Sequence, residues 1–210
     1  MEILGALFAM VVSGMVSLFF YKMDRKSYAD ISKKGIVWVS IVVGLATFFS
    51  AFLLMYIRGV NILTILLMMY IGLFVWSDAL TKTVYDIANY VMLALFLALF
   101  CLNKNFNLVT VAWCMVFVLM GYLKAYGSGD GYLLGVMALY MGCQNISGIY
   151  MVCVFIVSEI ISLAFIHLPL FIIDRKRKKE VKFLATKRAF SPAILVGFMI
   201  INLLISKGVI

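Results

Sequence analysis

Charge is scarce in this chain. Of its 210 residues 13% are Asp, Glu, Lys or Arg, while 66% are apolar, far more than the core of a soluble protein of this size buries. Histidine occurs once, at His167, and the four cysteines, Cys101, Cys114, Cys143 and Cys153, form no C-x-x-C pair. A zinc knuckle is thereby excluded and no structural metal or cofactor is expected. No Ser/Gly linker, internal repeat or soluble stretch interrupts the sequence, so residues 1–210 read as a single membrane-embedded domain. Ahead of the first apolar segment there is neither a basic region nor a small-residue cleavage site, and its positive cluster follows it. That segment is expected to be an uncleaved helix with its N-terminus outside, not a signal peptide.

What is present is apolar sequence in blocks, with a mean hydropathy of +1.13. The blocks run from Leu4 to Tyr21, Gly35 to Tyr56, Val60 to Ser77, Ile87 to Leu102, Leu108 to Leu123, Tyr132 to Gln144, Gly148 to Ile173 and Pro192 to Ser206. Most approach the ~17–25 residues that a membrane-crossing helix needs. The expected fold class is therefore an all-α polytopic bundle of about eight transmembrane helices.

Lys and Arg decide its orientation, because they stay on the cytoplasmic side of short loops. Eight crossings from an outside N-terminus leave only Arg58, Lys104 and Lys207 outside and put every other Lys and Arg inside. Omitting the short block from Tyr132 to Gln144 would carry the basic loop between Arg175 and Arg188 to the outside, so this block is expected to span, with local thinning of the bilayer. Both termini are then outside, and Asp78, Asp86 and Asp130 share the cytoplasmic face. The net charge of +9 comes mostly from the two longest inner loops. It points to anionic lipid headgroups and to no nucleic acid. The stretch from Asp174 to Arg188 is either a basic segment lying on the inner surface or a loop.

Carboxylates at membrane depth are expensive and tend to be functional. Asp78 directly follows the third block, and Asp130 closes the string Gly127-Ser128-Gly129-Asp130. Gly127 and Gly129 permit a tight bend, after which Asp130 is placed to cap a helix starting at Tyr132; capping and catalysis fit the spacing equally. Asp86, eight residues after Asp78 and near the start of the next helix, reads as a cap. Glu159 falls near the middle of its helix, as a proton- or ion-coupling group or as a hydrogen-bonded structural acid. His167, two residues before Pro169, reads as a packing or interfacial residue.

At these residues the chain resembles the type IV prepilin peptidases, membrane aspartyl proteases of the GxGD kind. In that family the first catalytic Asp precedes a short basic or polar stretch and an Ile/Val-Pro-Asn/Asp step, matched here by Asp78, Thr81 to Thr83 and Val84-Tyr85-Asp86. The second stands in a Gly-x-Gly-Asp box opening a Leu-rich helix, matched by Gly127 to Asp130 with Leu133 and Leu134. A weaker echo is Ala189-Phe190-Ser191-Pro192-Ala193-Ile194, similar to the entry into the family's last helix. Tyr85 stands where Pro is usual, and Gly131-Tyr132 where Val-Lys is common.

The resemblance implies catalytic Asp78 and Asp130, supported by Gly127, Gly129 and Asp86, with no metal. It also implies a prepilin-like membrane protein as substrate, cut after a short basic leader at the cytoplasmic face of the plasma membrane. The Lys22 to Lys34 loop has no Cys and is too short for the family's N-methyltransferase region, so a peptidase alone is implied. Two carboxyls close together share one proton, so that one polarises the carbonyl while the other activates a water. From the helix ends, Asp130 is expected as the ionised base and Asp78 as the protonated acid. Three other readings stay open: a proton- or ion-coupled transporter, a presenilin-like protease using Tyr85-Asp86, and an inactive pilus-assembly scaffold.

Overall fold

The computed structural model describes residues 1–24, 31–81, 86–103, 106–123, 127–176 and 190–210. Among them there is helix and no strand. Helices α1 (Glu2–Met23), α2 (Lys33–Arg58), α3 (Ile62–Thr81), α4 (Asp86–Cys101), α5 (Leu108–Tyr122) and α6 (Ser128–Cys143) come first. A continuous rod, α7, follows: Tyr150–Ile161, a π-helical stretch Ser162–His167, and Leu168–Lys176. Helix α8 is Ser191–Ser206. The segment 177–189, with most of the basic stretch read between Asp174 and Arg188, and the Lys82 to Tyr85 part of the family step lie outside the described residues.

Local chemistry explains several of the helix starts. The Ser32 hydroxyl accepts the Gly35 N–H at the head of α2 (3.1 Å). Asn61 Oδ1 accepts both the N–H and the hydroxyl of Thr64 (2.8 and 2.9 Å) at the head of α3, and Asn107 Oδ1 accepts the Thr110 N–H at the head of α5 (2.8 Å). Each satisfies amide groups that a first helical turn leaves unpaired. Helix α8 starts with Pro192 in its first turn, where a missing N–H costs nothing.

Helices α3 and α6 form the middle of the bundle. Helix α1 packs on α2 and α3, α4 and α5 pack on α6, α7 packs on α8, and α3 touches both α6 and α8. Every residue of α6 from Leu133 to Gly142 is buried, so its apolar character on all sides reflects enclosure by other helices. A close approach of α5 makes this possible: a Cβ on Gly121 would lie 3.1 Å from the Gly131 Cα. Small residues of this kind let helix backbones meet in a membrane. By contrast α1 and α2 turn Phe8, Val11, Trp38, Val42 and Phe49 outward, as a lipid-facing surface requires.

This is an all-helical membrane protein. Four stretches, Glu2–Met23, Lys33–Arg58, Ile62–Thr81 and Tyr150–Ile173, are long and apolar enough to cross a bilayer. Helices α4, α5, α6 and α8 have 15 or 16 residues, about 24 Å of helix against the ~30 Å of a typical hydrocarbon layer. Shortness, expected only for the block from Tyr132, is thus a property of half the helices.

Candidate functional site

Asp78 lies in the last turn of α3 and is 7% exposed. It points at the beginning of α8, where the Ser191 N–H and hydroxyl both donate to Asp78 Oδ2, at 3.0 and 2.8 Å. These residues are separated by 113 positions in the chain. The contact sets a second helix end beside Asp78, in addition to the end of α3 from which its protonated role was expected. Through its side chain Asp78 meets a helix N-terminus, the end that attracts negative charge, and an oxygen that accepts two hydrogen bonds is not the one carrying a shared proton.

Asp130 sits in the first turn of α6, whose helix begins at Ser128 with Gly127 as N-cap. The expected helix start at Tyr132, with Asp130 as its cap, is therefore corrected: the Ser128-Gly129-Asp130 stretch is already helical and Asp130 lies within the turn. Its carboxyl folds back toward Gly127, where an added Cβ would collide with it. A side chain at 127 would therefore oblige the Asp130 carboxyl to turn away. Gly129 occupies the same turn.

The half-buried Asp130 carboxyl is within electrostatic reach of Asp78 and Glu159, and of the Tyr70 hydroxyl. The fold thus leaves the two aspartates singled out in the sequence within electrostatic reach of each other, and Asp130 within reach of a further carboxyl, on α7. Glu159 is half-buried and stands just before the π-helical stretch that ends at His167. Asp86 is the first residue of α4 and is exposed; it lies inside the first turn, where a negative charge suits the helix N-terminus, and not ahead of it as a cap. Among the described residues no three His, Cys, Asp or Glu side chains group so as to hold a metal ion.

No family model matches this chain, and neither a curated protein nor a solved structure does.

Beside Asp78 runs an apolar groove of about 370 Å³ between α2, α3 and α8, lined by Trp38, Val42, Val75, Ala79, Pro192 and Leu195 among others. Val75 and Ala79 bracket Asp78 on α3, and Pro192 follows Ser191. The site therefore combines a doubly anchored carboxylate, a second carboxyl whose charge it feels, and an apolar trough along one flank. Ser191 had a sequence signal, a hydroxyl residue before Pro at a helix start, but its pairing with Asp78 had none.

Proposed function

We propose that this protein is a membrane aspartyl endopeptidase of the prepilin-peptidase kind, with Asp78 and Asp130 as its catalytic pair. The observation that carries the reading is the anchoring of Asp78 by Ser191 within electrostatic reach of Asp130. Asp78 acts as the base that takes a proton from water. Asp130 carries the proton of the pair and donates it to the oxygen of the scissile carbonyl as the water adds. As the C–N bond of the tetrahedral intermediate breaks, Asp78 passes the proton it took to the leaving amine, and Asp130 takes one back from a hydroxyl of the intermediate, which restores the pair. The sharing of one proton between neighbouring carboxyls makes both roles available at one pH.

The substrate in this reading is a prepilin-like membrane protein. Its short basic leader stays in the cytoplasm, and its apolar helix lies along the groove beside Asp78. The enzyme sits in the plasma membrane with both termini outside and the aspartates at the cytoplasmic face. Eight crossings built partly from helices of 15 or 16 residues require a locally thinned bilayer.

The test is co-expression with a prepilin-like protein, with removal of the leader read by intact mass. Leader removal by the wild-type chain, lost when either aspartate becomes Asn, is the expected result. An unprocessed substrate in membranes that contain folded protein refutes the reading.

Glu159 favours a second reading, a proton- or ion-coupled transporter, because it adds a third protonatable group within reach of Asp130. Proton uptake into proteoliposomes that depends on Glu159, in a protein that cleaves nothing, would select that reading.

A further inference from the structure

One buried polar group near the aspartates is left incomplete by the fold. Asn89 is fully buried on α4, in line with Phe96 and Phe100, the other buried residues of that helix. It therefore holds a core position where an apolar side chain would ordinarily pack. Its Oδ1 accepts a hydrogen bond of 2.8 Å from the hydroxyl of Tyr70 on α3, which is itself only 3% exposed. Its Nδ2 is buried and has no hydrogen-bond partner among the described residues. A buried amide donor left unpaired costs roughly 1–3 kcal/mol, and native structures hold few such groups.

The packing of α4 on α6 shows where this donor lies. The rings of Tyr90 and Tyr132 meet edge to face at 5.3 Å, and those of Phe96 and Tyr140 at 6.4 Å. Farther along, a Cβ on Gly142 would touch the Phe100 ring. The two helices thus run parallel, and the register sets Asn89, next to Tyr90, level with Asp130 and Gly131, just before Tyr132. The Tyr70 hydroxyl that holds Asn89 is the same one that lies within electrostatic reach of Asp130.

We propose that Asn89 is a further catalytic residue of the peptidase reading given above, its Nδ2 donating to the scissile carbonyl oxygen of the substrate, with Tyr70 as the positioning residue that fixes the amide. Because the Tyr70 hydroxyl occupies Oδ1, the amide is held with its NH₂ group as the end left to donate. As water adds to the carbonyl carbon, the oxygen gains negative charge. A preset donor then bonds it more strongly than it bonded the carbonyl, which is how oxyanion donors lower a barrier. Asp130 supplies a proton to that same oxygen, so an amide level with Asp130 approaches it from a second side. The Nδ2 hydrogens are covered by protein, and α4 has to shift as the substrate enters; catalytic hydrogen bonds commonly tighten only in the complex.

The test compares wild type, Asn89→Leu, Tyr70→Phe and the Tyr70→Phe/Asn89→Leu double variant, all assayed for cleavage of one prepilin-like substrate, with thermal unfolding in detergent alongside. The double variant keeps the test sound if Asn89→Leu alone folds poorly, because replacing both hydrogen-bond partners by apolar groups of similar shape is nearly neutral for stability. The expected result is a folded double variant with kcat lowered roughly 100-fold and KM little changed, the scale seen on removing one oxyanion donor. Tyr70→Phe alone should lower kcat less, and it should add nothing once Asn89 is Leu. A folded double variant that cleaves at the wild-type rate overturns the inference while leaving the peptidase reading intact. So does a loss confined to KM. A wild-type chain that leaves the substrate uncut overturns the peptidase reading and this inference together.

Discussion

Ser191→Ala is the most direct probe of how the site is built. The Ser191 hydroxyl donates to Asp78 Oδ2 at 2.8 Å, and the Ser191 backbone N–H donates to the same oxygen at 3.0 Å. Alanine removes the first bond and leaves the second. A hydrogen bond to a charged group contributes roughly 1.5–3 kcal/mol, and Asp78 is 7% exposed, so water does not readily replace the lost donor. If the hydroxyl holds the base in its reactive position, and that position matters most in the transition state, kcat/KM should fall by roughly 10- to 100-fold, since each ~1.4 kcal/mol is a factor of ten. The remaining N–H should keep Asp78 turned toward α8, so activity should be reduced and not abolished. Ser191→Thr retains the hydroxyl and should recover much of the loss. The assay is initial-rate cleavage of a prepilin-like substrate in membranes, with thermal unfolding in detergent to confirm that the variant is folded. A folded Ser191→Ala protein that cleaves at the wild-type rate would refute the idea that this contact prepares Asp78.

Asp78→Asn and Asp130→Asn should each abolish cleavage while the protein still inserts and folds, and near-normal turnover by either removes that residue from the pair. Asp86→Asn should keep measurable activity, because Asp86 is exposed at the head of α4; a dead Asp86→Asn beside an active Asp78→Asn would shift the catalytic pair to Asp86. Gly127→Ala puts a Cβ against the Asp130 carboxyl and should lower kcat by at least about tenfold, as expected when a reacting group is displaced by a few tenths of an ångström to an ångström. Wild-type kcat in a folded Gly127→Ala protein would mean that the Asp130 position seen here is not the reactive one.

By itself the sequence determined the class of this protein and the place of its helices. Apolar runs broken by short polar stretches dictate membrane helices, since a chain in lipid must pair its backbone groups within each segment. Such runs locate a helix without fixing its ends. The start of α6 falls at Ser128 because Gly127 takes the N-cap position, although glycine-rich sequence reads as a bend. Asp78 and Asp130 were legible as carboxylates at the edges of apolar blocks. Asn89 carried a local signal too, as a polar residue seven positions before Phe96 on the buried stripe of α4.

What only the tertiary structure decided is which partner each polar group meets. Ser191 reaches Asp78 across 113 positions, and Tyr70 reaches Asn89 across 19; periodicity reports the face of a helix but not the residue that faces it. The electrostatic surroundings of Asp78 changed for the same reason. Its own helix ends there, which alone would disfavour a charge, but the side chain is directed at the N-terminus of α8, whose amide and hydroxyl donate to it. The sense of the helix dipole at a residue follows from the helix its side chain touches as much as from the helix that carries it, and that neighbour is set by packing.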